Sequence, residues 1–392
     1  MVSRKSRWEY FRAVHPRYQK ASLEMKQMML DEFCSNTGYN RKYAIRLLNG
    51  PPPEKKPQPR RRRSASYGAG LIRLLAAVWE AAGYPWSVRL KAVLPLWLPW
   101  IQKRFRLDAA TEKKLLRISA ATMDRHLKSK KEWLIKRHYG GTKPGTLLKH
   151  HIPIKTDSWD VKEAGFVEVD LVSHSGNCGD GEFIHSLNMT DIHTGWVETR
   201  AVLGKGQVGI VAAMEQMRQS LPFPLRGIDS DNGSEFINYH LKSYCSRRRI
   251  QFTRGRPYKK DDNAHIEQKN WTHVRKIFGY LRFDSPTVLA EMNDLYIAEL
   301  RVYQNLFQPS TKLLRKTRVG SRLRRVYEPP KTPLERVREC GQADRGKLAQ
   351  LDQTFKTHDP FELSKKIDQK LEAIFQLANA RISPRPGHSS RE

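Results

Sequence analysis

Leu225-Arg-Gly-Ile-Asp-Ser-Asp-Asn-Gly-Ser-Glu-Phe236 opens the stretch around which the rest of this 392-residue chain is read. The short run up to Ser230 gives way to Asp-Asn-Gly, a turn signal, so Asp231 is expected where a strand passes into a loop. Thirty-six positions later (267 − 231 = 36), Glu267 follows the loop 257–263, in a segment whose apolar residues Ile266, Val274, Ile277, Phe278 and Leu281 recur at helical spacing. Upstream, Phe166-Val-Glu-Val-Asp-Leu-Val172 alternates, with Val167, Val169 and Leu171 on one face and Asp170 on the other. Any single acid among the 40 Asp and Glu of the chain ordinarily just meets solvent. Two carboxylates at strand ends and a third on a helix are a different matter. They suit two hard divalent cations, because Mg2+ takes oxygen ligands and keeps positions open for substrate phosphate.

Asp170, Asp231-Asn-Gly-Ser-Glu-Phe and Glu267, in that order and spacing, resemble the catalytic triad of the DDE transposase and retroviral-integrase superfamily. The order strand, hairpin, helix, strand, helix, strand, loop, helix read between residues 165 and 280 is what a ribonuclease-H-like α/β core with a mixed five-stranded sheet requires. Tyr303-Gln-Asn-Leu-Phe-Gln-Pro-Ser-Thr-Lys-Leu313 and Thr332-Pro-Leu-Glu-Arg336 are similar to the tail of bacterial insertion-sequence transposases, so the likeness covers most of the chain. One departure is Tyr258-Lys-Lys-Asp-Asp-Asn263, where many such proteins have Pro or Gly beside the Asn. The resemblance implies Asp170, Asp231 and Glu267 as catalytic and metal-holding residues, with two Mg2+ (or Mn2+) per site. It further implies nicking of element ends and attack of the freed 3′-hydroxyls on target DNA.

The charge agrees with a polyanionic partner. Lys and Arg number 71 against 40 acidic residues, a net charge of +31, which suits nucleic acid or an anionic membrane surface. No run approaches about twenty apolar residues, and Met-Val-Ser-Arg-Lys-Ser-Arg-Trp8 lacks an apolar signal core, so DNA is preferred to membrane and a cytoplasmic, nucleoid-associated location is expected. Cys34, Cys178, Cys245 and Cys340 stand far apart, which supports neither a disulfide framework nor a zinc module.

The domains are expected as follows along the chain. Residues 1–50 are read as a helix-turn-helix unit, two helices at 21–34 and 40–48 with Gly38 in the turn, whose second helix offers Asn40, Arg41 and Lys42 to base edges. A helical hairpin that only packs is the competing reading. Residues 51–66 form a Pro/Arg-rich linker in which Arg60, Arg61, Arg62 and Arg63 either stay solvated or track phosphates. Residues 67–150 are a second helical DNA-binding unit and connector. Trp97 and Trp100 belong to its core, and a closing helix capped by Ser119 presents Thr122, Arg125 and His126. The catalytic core occupies 155–308, and a basic C-terminal tail without catalytic signal fills 309–392.

Within the core, Asp229 rivals Asp231, since two residues apart on a strand face the same way. Asp231 is preferred because it directly precedes the Asn-Gly turn. Asp191 is read as a hairpin turn former, Asp160 as structural, and His174 and His185 as structural or as partners of the ligands. At 100° per residue, His265, Lys269, His273 and Lys276 share one cationic face. Lys259, Lys260, Lys269 and His273 are therefore read as DNA contacts. Recognition of two terminal inverted repeats implies a homo-oligomer. Two other classes compete: a ribonuclease-H-like nuclease without strand transfer, which does not need two upstream DNA readers, and a DNA-binding regulator with an inactive core, which is free to lose one of the acids.

Overall fold

The computed structural model describes residues 4–52, 67–138, 161, 163–230, 239–254, 264–319 and 322–379. The chain divides into two compact units, residues 1–66 and 67–392. No helix among the described residues is long and apolar enough to cross a membrane.

Among its described residues the first unit holds three helices: α1 (Arg4–Lys20), α2 (Leu23–Thr37) and α3 (Arg41–Asn49). Phe11, Val14, Leu30, Phe33, Ala44 and Leu48 make its core. Helix α1 completes this core and went unread in the sequence. Gly38 ends α2 in the left-handed region, φ 69°, returning its N–H to the Cys34 carbonyl. That conformation strains most side chains and suits glycine. Arg60 to Arg63 lie outside the described residues.

The second unit begins with α4 (Ala69–Ala81), α5 (Ser87–Leu96), α6 (Leu98–Phe105), α7 (Ala109–Arg117) and α8 (Ala120–His138). The five-stranded sheet follows: β1 (Phe166–Ser173), β2 (Ile184–Asp191), β3 (Val197–Leu203), α9 (Gln207–Ser220), β4 (Gly227–Ser230), α10 (Tyr239–Arg248) and β5 (Gln251–Arg254). Its strand order is β3-β2-β1-β4-β5, with β1 parallel to β4, β4 parallel to β5, and β2 antiparallel to β1 and β3. This is the mixed sheet of a ribonuclease-H-like core. Gly165 sets its entry, at φ +107°, where a Cβ would stand 2.2 Å from the Pro224 carbonyl oxygen. Asp191 is the turn former expected. Buried, it accepts from the Gly165 N–H (2.8 Å) and from the Thr194 N–H and hydroxyl (2.7 and 2.6 Å).

Next come α11 (Ala264–Lys269), a π-helical turn (Asn270–Arg275) and α12 (Lys276–Phe278). A second continuous helix is α13 (Pro286–Leu295), a π-helical turn (Tyr296–Leu300) and α14 (Arg301–Leu306). It seals the sheet edge. The Asn305 carboxamide pairs with both backbone polar groups of Val197 (2.9 and 2.8 Å), and Asn293 does the same at Ala201 (2.8 and 2.9 Å), so those ladder groups of β3 are satisfied without another strand.

Residues 67–138 share the core of the sheet. Trp97 is fully buried, donates from Nε1 to the Phe307 carbonyl at 3.1 Å, and packs edge-on against Tyr303 and Phe361. The C-terminal region folds. Its described residues form the hairpin β6 (Leu313–Val319) and β7 (Arg322–Tyr327), then α15 (Pro333–Cys340), α16 (Arg345–Thr357) and α17 (Pro360–Asn379). Leu334, Val337, Leu351, Phe361, Leu363, Ile367 and Ile374 bury into the common core, and Thr332 with Glu335 closes a capping box at α15. The charge surplus of this stretch hid its helical apolar spacing.

Candidate active site

Strand β1 carries the site. In its parallel ladder with β4, Glu168 pairs with Asp229 and Val169 with Ser230. Asp170 is therefore the residue directly after the last described pair, and Asp231, outside the described residues, directly follows Ser230. Asp170 is half-buried on the face of β1 that meets α11. Its Oδ2 accepts from Asn270 Nδ2 at 2.6 Å, and its Oδ1 from the Leu171 N–H at 2.8 Å. Asn270 in turn accepts from Asn188 Nδ2 at 2.8 Å, and Asn188 accepts from the Thr199 hydroxyl at 3.3 Å. A polar relay thus runs from β3 through β2 to Asn270 on the helix, and from there to Asp170 on β1.

A second tie lies two residues back along the strand. The buried carboxylate of Glu168 accepts from the Ile266 N–H at 2.8 Å, satisfying one of the donors that the first turn of α11 leaves unpaired. Four residues of helix advance about 6 Å and two residues of strand about 6.7 Å, so the ties 266 to 168 and 270 to 170 hold helix and strand side by side in register. Glu267 sits on the backbone between them; its side chain lies outside the described residues.

The rival carboxylate is differently placed. Asp229 is 4% exposed and accepts from the Thr253 hydroxyl of β5 at 2.7 Å. His174 is wholly buried, bonded through Nε2 to Ser186 and packed on Phe278 and Phe283, with burial holding its imidazole down at about 3. It is a neutral core group. Buried His185 meets the Ser173 hydroxyl at 3.1 Å.

The cationic face read at 100° per residue is redistributed. From Asn270 to Arg275 the helix is π-helical, so the angle per residue is smaller and the simple register fails. Lys276 donates to the Gly83 carbonyl at 2.7 Å, turning that side toward the α4–α5 connection. Half-buried Lys269 is pulled down to about 7 by desolvation and then by Arg89 of α5 and Arg336, and His273 is lowered further by burial, Lys269 and Arg89. Lys269 and His273 are therefore both half-buried, with Arg89 near both and Arg336 near Lys269. The His265 side chain, Lys259 and Lys260 lie outside the described residues.

The other residues singled out in the sequence fall in the helical segments. Asn40 caps α3 by accepting from the Lys42 N–H at 3.0 Å, and Arg41 is ion-paired with Asp31. Ser119 caps α8 through the Thr122 N–H, and the Thr122 hydroxyl accepts from Arg125 at 2.9 Å.

Among the described residues no three His, Cys, Asp or Glu side chains converge to hold a metal ion. Sequence reading missed Glu168, Asn188 and Asn270. Glu168 carried one signal: two residues before Asp170, it shares its strand face.

No family model matches the chain. It is 39% identical over 340 residues to uncharacterized protein y4rM of Sinorhizobium fredii, across 86% of this chain and 96% of that one. The chain belongs to the y4rM family. Among solved structures, this family member is similar to the BIV integrase catalytic core, at 16% identity, 45% of this chain, 94% of that chain and a TM-score of 0.29. It is also similar to the HTLV-2 integrase catalytic core in complex with magnesium, at 14% identity, 38% of this chain, 91% of that chain and a TM-score of 0.29. The strand order and sense given above, rather than these overlaps, define the ribonuclease-H-like core.

Proposed function

We propose that the chain is a DNA transposase of the DDE integrase type, nicking element ends and joining their 3′-hydroxyls to target DNA. The observation that carries this reading is the double tie of the Glu267 helix to β1, at Glu168 and Asp170, beside the strand end from which Asp231 follows. Asp170, Asp231 and Glu267 are a donor set of carboxylate oxygens alone, the set that Mg2+ or Mn2+ takes. When bound, two such ions supply charge stabilisation for the entering and leaving oxygens of an in-line displacement at phosphorus. The chain's own residues supply position. Asn270 and the Leu171 N–H fix both oxygens of Asp170, and Glu168 fixes the first turn of the helix that carries Glu267.

The helices of residues 1–50, through Asn40, Arg41 and Lys42, and α8, through Thr122 and Arg125, are the proposed readers of terminal inverted repeats. Lys269 and His273 are proposed to contact DNA flanking the scissile phosphate. Two ends handled together imply a homo-oligomer. The decisive experiment incubates the protein with element-end DNA, target DNA and Mn2+ and separates the products. Joined strands support the transposase; nicks without joining leave a nuclease, and intact DNA that is still bound leaves a regulator.

A further inference from the structure

Residues 312–327 contain seven Lys or Arg among sixteen positions and no acid. They fold into the β6–β7 ribbon, whose foot is fixed to the core. Arg336, 5% exposed, donates to Glu328 Oε1 (2.8 Å) and to the Ser310 carbonyl (2.6 Å), and Lys312 donates to the His193 carbonyl at the β2–β3 turn (2.6 Å). Beyond that foot, Arg315, Arg318, Arg324 and Arg325 are all exposed, and among the described residues none of the four has an ion pair.

The pleat distributes the guanidiniums on both sides. Pairing of Thr317 with Arg324 and of Arg318 with Leu323 puts Arg315 and Arg324 on one face, Arg318 and Arg325 on the other. A flat anionic surface such as a lipid headgroup layer meets one face of a ribbon. A groove walled by phosphates meets both. Seven residues of strand reach about 20 Å, and the major groove, about 12 Å wide, admits a two-stranded ribbon.

We propose that the β6–β7 ribbon is a duplex-DNA clamp that lies in a groove, with Arg315 and Arg324 on one phosphate wall and Arg318 and Arg325 on the other. It extends the transposase reading by naming a DNA contact outside the helical readers and the carboxylate site, and its test needs no catalysis.

The full chain is titrated with a mixed-sequence 30-base-pair duplex in EDTA, following fluorescence anisotropy across a salt series. Replacing the four arginines together (R315A/R318A/R324A/R325A) is expected to weaken binding at least about 100-fold at 0.1 M salt and to flatten the log-log salt slope by about 3 to 4, at roughly 0.9 per lost phosphate contact. The four-lysine version is expected to keep most of the slope, which separates lost charge from lost folding. Each two-residue face variant is expected to carry about half of the loss. An unchanged slope overturns the proposal. So does a loss confined to one face, or a loss of binding to phosphatidylserine vesicles with duplex binding intact. If the wild type binds through the ribbon yet never joins ends, the transposase reading falls and the clamp stands; joining with ribbon-independent binding overturns the clamp and leaves the transposase reading standing.

Discussion

Asn270 Nδ2 lies 2.6 Å from Asp170 Oδ2, and this contact joins the helix of Glu267 to the strand of Asp170 three residues after the glutamate itself. Asn270→Ala removes a donor from Asp170 and an acceptor from Asn188 at once. It is expected to lower end joining 10- to 100-fold at saturating DNA, to leave duplex affinity unchanged, and to lower stability by about 1–2 kcal/mol. Joining at the wild-type rate in Asn270→Ala means the contact does not orient the carboxylate.

The carboxylates themselves separate by role. Asp170→Asn, Asp231→Asn and Glu267→Gln each keep shape and lose charge, so cleavage is expected to disappear in all three while DNA binding persists. Asp229→Asn is expected to be milder on cleavage, because Asp229 is buried on the sheet with the Thr253 hydroxyl as a partner. Gel analysis of nicked ends under Mn2+ reads both. Abolition by Asp229→Asn with survival in Asp231→Asn would transfer the role between them.

The alternation of residues 166–172, the turn after Ser230 and the apolar spacing around Ile266 made the element order of the core legible in the residues; how those strands pair into one mixed sheet came with the resemblance to ribonuclease-H-like cores. The carboxylate trio came from the same signals. What the sequence hid was relational. Asn188 and Asn270 stand 82 residues apart, and only sheet register brings them together with Asp170. The π-helical turn from Asn270 broke the 100° rule on which the cationic face was built. Trp97 read correctly as a core residue, but nothing local showed that its cradle is made by Tyr303, Phe307 and Phe361.

Acid stability should be governed in part by one carboxylate far from the site. Glu215 of α9 accepts from Arg218 (2.9 and 2.8 Å), the Tyr244 hydroxyl (2.7 Å) and Arg248 (3.1 Å), the last two on α10. The hydrogen bonds from Arg218 come first among the causes that pull its pKa from 4.5 to about 2. A depressed carboxylate stabilises the fold above its unfolded value and loses that contribution as pH falls through the folded one. Between pH 4.5 and 2 the wild type is therefore expected to lose on the order of 2 kcal/mol that Glu215→Gln does not have to lose. Chemical denaturation of both proteins at pH 6 and pH 3 measures the difference. Parallel losses would show that the cluster holds α9 to α10 without contributing acid sensitivity.

The last expectation concerns where the chain can be cut. Residues 67–138 donate Trp97 to a cradle built from α14 and α17, and Tyr303 returns its hydroxyl to the Ala81 carbonyl, so the sheet unit is not complete at its own first strand. Removing residues 1–66 is expected to leave one cooperative unfolding transition and, on the reading proposed above, to weaken preference for element ends, α8 remaining as a reader, while duplex binding persists. A fragment of residues 155–308 is expected to aggregate or unfold, since it exposes the faces of Tyr303 and Phe307 covered by Trp97, Trp100 and Phe355 and forfeits the helices that carry them. Trp97→Ala tests the same joint within the whole chain, at about 3–5 kcal/mol for a fully buried Trp. Calorimetry of the three proteins distinguishes the cases. A 155–308 fragment that melts cooperatively near the temperature of the full chain would show that the preceding helices only rest on the core, and would move the boundary of the folding unit from Tyr67 to the start of β1.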